Sequence, residues 1–313
     1  MTYSSGGKIE ATDYNNLINA SNKLNTVWGT GTGNAGYGQT AVSAVSASTL
    51  VTATQWTSLL NALNNALTHQ SGTGHGITAA TTGTTVTYRS TLSTSIDTAY
   101  TNRLTKNSQG TTVTGTVFTH TWSGASTSAT ANASYGARAT FSSADAARYF
   151  FNCGGALTFN CGATGSATAR STAITNMAGY LGGVSQFGSS GNGGRLGTGG
   201  TATTTPGVGY WGTVNFATAG NAYNLVSVTS TTASYTSDTG LVQLQVNGTA
   251  GSNGAIGINV DFSMILASTS GANAGSLSFD DSWANSITRS IDIIYPESTY
   301  LSNSWGTVTI YSL

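Results

Sequence analysis

Gly31-x-Gly33-x-x-Gly36 has the spacing that cradles a dinucleotide phosphate, provided a strand precedes it and a helix opens after it. Here the triplet follows an apolar helical stripe and runs into Tyr37-Gly38-Gln39. With 41 glycines in 313 residues, chance accounts for the match. Two other readings of the loop stay open. It is a docking surface anchored by Trp28 and Tyr37, or a hairpin connection whose aromatics plug a helical core. The three histidines are His69, His75 and His120. His69 and His75 lack a nearby carboxylate and fall short of a zinc ligand set, so they read as polar linker residues. Asp280-Asp281 suits calcium binding or, with a second acid, glycoside cleavage; a solvated turn before Trp283 is the plainer reading. No Gly-x-Ser-x-Gly elbow occurs, and histidine is too scarce for a triad. Cys153 and Cys161 read as buried free thiols. Arg148 has Asp145 three residues before it on a helix, which suits an ion pair; the alternative is a reach across an interface. The sequence assigns no catalytic residue, no cofactor and no metal.

Composition points away from several classes. Charged residues are 6% of the chain, against roughly 25% in an average soluble domain, and none occurs from Leu24 to Tyr88. Six Trp, 14 Tyr and 9 Phe argue for folded β-rich structure over a disordered Gly/Ser/Thr tract. A monomer with so few charges has little protection from self-association, so the chain is expected in a permanent assembly. Zero net charge without a basic cluster leaves no footprint for nucleic acid. Neither a secretory signal nor a membrane span is legible, and synthesis in a reducing cytoplasm is expected.

The elements that must position these residues begin with a repeat. Ile9-x-Ala11-Thr12-Asp13-Tyr14-x-x-Leu17-Ile18-Asn19-Ala20 returns as Val51-x-Ala53-Thr54-Gln55-Trp56-x-x-Leu59-Leu60-Asn61-Ala62, at an offset of 42. Thr12 and Thr54 are the expected N-caps. The first stripe runs through Tyr14, Leu17, Ile18, Leu24 and Trp28; the second through Trp56, Leu59, Leu60, Leu63 and Leu67, ending near His69. Residues 72–87 read as a flexible connection, and 88–106 as a short third helix. Strands are expected within 113–122 and over 135–141, 156–161, 210–216, 223–229, 241–246, 256–266, 287–294 and 307–311. Between them, Ser143 caps a helix over 144–152, Ser171 caps another, and 185–208 is a glycine-rich loop. Asn247-Gly248 and Asn253-Gly254 are turns. The fold class is α+β: an N-terminal helical hairpin region followed by a β-sandwich-like domain with a few short helices. The expected units are 1–75, helical and attaching; 76–110, a linker with a short helix; and 111–313, a β-rich body.

The run from Lys8 to Gln39, together with the second copy from Ala53 to Gly72, resembles the opening of structural proteins of tailed bacteriophages, those of cyanobacteria in particular. Ala147-Arg148-Tyr149-Phe150-Phe151-Asn152-Cys153-Gly154-Gly155 resembles a second element of that family, with Cys153 where a small polar residue is expected. Gly209-Tyr210-Trp211 and the Asn253-Gly254 turn fit more loosely. The resemblance implies a non-enzymatic virion component of tail, neck or baseplate, fibre-like and homo-oligomeric, with a trimer preferred by analogy and other virion proteins as partners. Its assembly interface is expected at Tyr14, Leu17, Ile18, Trp28, Tyr37, Gln39, Trp56, Leu59, Leu60 and Leu63. The alternative is a receptor-binding module for host-surface glycan, with Trp211, Trp283, Tyr300 or Trp305 stacking on sugar rings.

Overall fold

The computed structural model describes residues 9–79, 81–83, 86, 89–124, 130–182, 184–185, 194–195, 201–202, 222–232, 235–269 and 282–313. Helix α1 (Ala11–Asn19) starts behind an extended Glu10 with no side-chain cap, so Thr12 is already inside the helix. Its stripe does not run on to Trp28. Asn22 adopts a left-handed φ of 64°, which asparagine tolerates better than most residues, and α2 (Leu24–Trp28) is a separate short helix.

Helix α3 (Ala53–Ser71) is unbroken, and its cap is Thr52 rather than Thr54. The Thr52 hydroxyl accepts from the Gln55 N–H at 3.3 Å, and the Gln55 side chain accepts from the Thr52 N–H at 2.7 Å. This capping box satisfies two N–H groups that a helix start leaves open. Gly72 closes the helix with a left-handed φ of 77°. Helix α4 (Arg89–Thr101) buries Leu92, Ile96 and Ala99 in the same apolar core as α1 and α3. The helical unit therefore reaches residue 101, and the segment expected as a linker supplies part of its core.

The body holds β1 (Gln109–Val113), β2 (Phe118–Gly124), β3 (Thr130–Thr140), α5 (Ala144–Asn152), β4 (Ala156–Gly165) and α6 (Ala169–Leu181). The short pieces β5 (Val184–Ser185), β6 (Gly194–Arg195) and β7 (Thr201–Ala202) interrupt the expected glycine-rich loop. Then come β8 (Ala222–Thr229), β9 (Thr239–Asn247), β10 (Asn259–Thr269), β11 (Trp283–Pro296) and β12 (Thr309–Ser312). The strand expected at 210–216 lies outside the described residues. Among the described residues, one sheet runs β1-β11-β4-β5-β6 with β2 also on β11, and the other runs β12-β3-β10-β9-β8-β7. The Thr-rich run at 113–122 splits because β1 and β2 lie end to end along β11. At the break the Gly115 N–H donates to Asp292 Oδ1 at 2.9 Å.

Alternation along β9 and β10 turns Val242, Leu244, Val246, Val260, Phe262, Met264 and Leu266 inward. Phe159 of β4 stacks on Phe262 of β10 at 5.4 Å, joining the two sheets face to face. Helix α6 packs on β4 and β11 of one sheet and on β8, β9 and β10 of the other. It is buried on more than one side, which suits its mixed apolar surface. Its cap is Thr168; Ser171, the expected cap, instead donates to Asn285 Oδ1 at 2.8 Å inside the core. The α5 cap is Ser143, as its sequence suggests. Both Asn-Gly turns form, with Gly248 and Gly254 at positive φ. The chain is α+β, a helical N-terminal region on a two-sheet sandwich with short helices.

Candidate interaction site

The two cores meet at residues 28–39. Tyr37 is buried in the body core, while Trp28 packs against both cores. The loop between them bends through Gly31, Gly33 and Gly36, all at positive φ. At Gly36 a Cβ would lie 2.1 Å from the Thr30 carbonyl oxygen, so a side chain there is excluded.

This bend turns carbonyl oxygens, not N–H groups, toward α5. Arg148 is fully buried and donates to Ala35 O and Thr30 O, each at 2.6 Å. Asn152, one turn on, donates to Gly33 O at 3.0 Å. The expected Arg148–Asp145 ion pair is present at 3.3 Å, and Asp145 also accepts from the Ser252 N–H at 3.1 Å. Gly33 N–H donates to Asn253 O at 2.8 Å. The glycine triplet thus wraps a guanidinium of its own chain. A phosphate cradle needs the opposite polarity.

Below the loop, Tyr37 joins three segments. Its hydroxyl donates to Arg103 O at 2.8 Å and accepts from Gln70 Nε2 at 2.8 Å; its carbonyl accepts from Ser304 Oγ at 2.6 Å. Gln39 donates to Ser302 O at 2.9 Å and accepts from Ser302 N at 2.8 Å. Burial pushes the Tyr37 hydroxyl pKa well up and that of Tyr14 to about 12. Residues 28–39 are therefore built into the body by this joint, and Gln70 of α3 is tied to it.

His69 stands beside Tyr37, with ring centroids 5.5 Å apart. It is 2% exposed, and neither ring nitrogen has a hydrogen-bond partner. Burial lowers its pKa to about 4, against an opposing pull from the Glu297 carboxylate. His69 is a core residue, not the polar linker residue expected. His75 accepts from the Ile77 N–H through Nδ1 at 2.8 Å, fixing Nε2–H as the donor to Leu60 O at 2.9 Å. Both cysteines are free; Cys153 is buried as expected, whereas Cys161 is only half-buried, because it lies at the edge of the core. Burial drives the Cys153 thiol pKa well up and that of Cys161 to about 12, so both stay protonated. Among the described residues, no three His, Cys, Asp or Glu side chains gather as a metal site. Asp280, Asp281 and Trp211 lie outside the described residues.

The side chains expected to form an assembly interface face inward. Tyr14, Leu17, Ile18, Trp56, Leu59, Leu60 and Leu63 are buried in the helical core, and Tyr37 and Gln39 in the joint. Only Trp28 of that set is half-buried. The equivalent positions of the repeat meet each other: Tyr14 and Trp56 form an edge contact at 5.6 Å, and Tyr14 Oη donates to Gln55 O at 3.0 Å. The aromatics named for sugar stacking are also largely inside. Trp305 is 2% exposed, and Trp283 is 5% exposed beneath the Arg170 guanidinium at 4.3 Å; Tyr300 is half-buried.

The open feature beside Trp28 is a groove of about 540 Å³ between α3 and residues 40–43. Trp28 Nε1–H donates to Thr40 O at 3.0 Å and fixes the indole there. One wall carries Ser58, Asn61 and Asn65; the other carries Thr40 and Ser43. No charged side chain lines it. Sequence reasoning reached Trp28 but missed this wall, whose signal is hydroxyl and amide residues at helical spacing. Neither the family models, the curated proteins nor the solved structures include a match to this chain.

Proposed function

We propose that this protein is a non-enzymatic virion component of a tailed phage, a fibre-like part of tail, neck or baseplate. In this reading it works as a homo-oligomer, preferably a trimer, seated among other virion proteins. The observation that carries it is the direction of the charges. Where burial is described, Glu10 and Asp97 are the exposed charged residues; Arg148, Arg170, Arg289, Asp238 and Asp261 are buried, and the others, Lys23 and Arg138 among them, are half-buried. Arg148, Arg138 and Asp261 act as internal staples, the last two paired at 2.7 Å.

What remains outside is largely hydroxyl, amide and glycine. Such a surface has little electrostatic repulsion to keep copies apart. It also enters permanent contacts at lower desolvation cost than a charged one. The resemblance of the N-terminal repeat to phage structural proteins supports the same reading. Attachment then uses the outer faces of the helical unit, including Leu50 at 69% exposure, and not the apolar stripes. No helix among the described residues is long and apolar enough to cross a membrane, and the ten Lys and Arg residues are scattered along the sequence without a basic cluster for nucleic acid.

Two measurements test this. Peptides of the chain should appear at stoichiometric level in gradient-purified phage particles, and light scattering of the purified chain should give a multiple of 31.6 kDa. Absence from purified particles overturns the virion assignment; a monomer at working concentration overturns the oligomer.

A further inference from the structure

We infer that Asn253 is a site of spontaneous deamidation, where the chain converts to isoaspartate and so ages its own joint. The sequence holds three Asn-Gly pairs, starting at Asn192, Asn247 and Asn253; the first lies outside the described residues. In such a pair the glycine nitrogen attacks the asparagine Cγ, because no Cβ stands in its way. The N–Cγ bond forms and the Cγ–Nδ2 bond breaks. The departing amide takes the glycine N–H proton and leaves as ammonia. Water then opens the cyclic imide. Opening at Cγ gives aspartate, and opening at the main-chain carbonyl gives isoaspartate, in which the chain runs on through the side chain.

The two described pairs differ in what holds the amide. Asn247 closes β9 and is paired with Asn259 of β10. Its Nδ2 donates to the Asp261 carboxylate, and its Oδ1 accepts from Asn259 Nδ2 at 3.1 Å. Asp261 is itself held by Arg138. The Asn247 amide must therefore leave an ionised acceptor before it can turn toward Gly248. Asn253 sits in the exposed turn from Ser252 to Gly254, and its side chain has no partner among the described residues. The Gly254 N–H likewise donates to no group among them. Asn253 and Gly254 hold left-handed φ values of 52° and 82°, so the turn has to open before the nitrogen reaches Cγ. Two short-range bonds close it, Ala255 N–H to Ser252 O at 2.9 Å and Gly251 N–H to Ala255 O at 2.8 Å. An exposed loop with so few bonds opens locally at low cost.

The turn is also seated on the joint. Asn253 O accepts from the Gly33 N–H at 2.8 Å, and Ser252 N–H donates to Asp145 Oδ2 at 3.1 Å. A Cβ added at Gly251 would lie 3.0 Å from Ala144 Cβ, so the turn has no slack against α5. Isoaspartate lengthens the main chain by a methylene at the residue that receives Gly33. Conversion therefore pulls this tie out of register and loosens the glycine loop. The inference is independent of the virion reading.

The test incubates the full chain at pH 8, native and in guanidinium, and reads each Asn-Gly pair by peptide mapping and enzymatic methylation of isoaspartate. In the native chain Asn253 should convert at least about tenfold faster than Asn247, whose amide must first leave a carboxylate. In guanidinium the two rates should converge. Asn253→Gly, which accepts the left-handed φ, should remove the signal at 253 and keep the melting temperature. After ageing, amide protection at residues 29–36 should fall in the native chain and not in this variant. Native conversion at Asn253 no faster than at Asn247 overturns the inference. Isoaspartate at 253 with unchanged protection at 29–36 overturns the ageing of the joint.

Discussion

The Arg148 guanidinium donates to the Ala35 carbonyl oxygen at 2.6 Å, with both groups buried and 113 residues apart in sequence. This contact makes the N-terminal loop part of the body. Truncating Arg148 takes away the close donor of both the Ala35 and the Thr30 carbonyls and leaves Ala35 O with only the longer bond from Asn152 Nδ2, at 3.3 Å. Breaking a buried charged network by truncating one partner costs about 3–5 kcal/mol. Arg148→Ala should accordingly lower stability by several kcal/mol in urea unfolding, and residues 29–36 should lose amide protection first. Deleting residues 1–39 removes the carbonyls that receive Arg148, leaving it Asp145 alone, and should give an insoluble or unfolded body. A soluble, cooperatively unfolding truncation would contradict the joint.

Acid should loosen the same joint through His69. Its folded pKa of about 4 lies below the ordinary histidine value, so the native state favours the neutral ring. The stabilisation from keeping it neutral is present above pH 6.5 and is lost as pH falls from there through about 4. For a group this buried the total is on the order of 3 kcal/mol. Glu297 and Lys106 both act on this ring, with opposite effects on its charge. Unfolding midpoints of the native chain should drop between pH 6.5 and 4 by more than those of His69→Phe. Parallel curves for the two proteins would remove His69 from the acid response.

Both thiols should be inert in the folded protein. Cys153 is fully buried; Cys161 is half-buried, but its Sγ–H points at Ala178 O at 3.7 Å and desolvation raises the thiol pKa to about 12. A thiol-specific reagent at pH 8 should label neither within the time that labels both in guanidinium, and reducing agent should leave the melting temperature unchanged. Rapid labelling of Cys153 would mean that α5 and the joint open far more readily than their packing indicates.

Which parts were legible follows from the range of the interactions. Ser143, Asn247-Gly248 and Asn253-Gly254 act within a few residues, and the sequence places them correctly. Strands β9 and β11 announce themselves by alternation. The repeat correctly marks Tyr14, Leu17, Trp56 and Leu59 as apolar anchors, but an apolar stripe looks alike whether it meets its own chain or another. What turns them inward is α4, which the sequence presents as a short helix in a linker. The bonds from Gln39 to Ser302, 263 residues away, leave no local trace. Arg148 is visible as an oddity beside two phenylalanines; the carbonyls that receive it are not. Trp283 and Trp305 are conspicuous in sequence, yet only the folded sandwich shows that they lie inside it.

The start of α3 separates the repeat from the helix it introduces. Thr12 and Thr54 hold equivalent places in the repeat and look alike as caps, but both lie inside their helices. The second helix is capped two residues earlier by Thr52, which the first copy matches with Glu10. That difference gives α3 a capping box and leaves α1 without a side-chain cap. Thr52→Ala should therefore cost about 1 kcal/mol, read as a lower melting temperature and faster amide exchange at residues 53–56. Thr54→Ala should be neutral or slightly stabilising, because an exposed helical threonine gives way to a better helix former. Equal losses at the two positions would return the cap to Thr54 and restore the symmetry that the sequence suggests. A loss at Thr52 alone means that the second copy holds its helix start by a contact the first copy lacks, which fits α3 running 19 residues where α1 stops after 9.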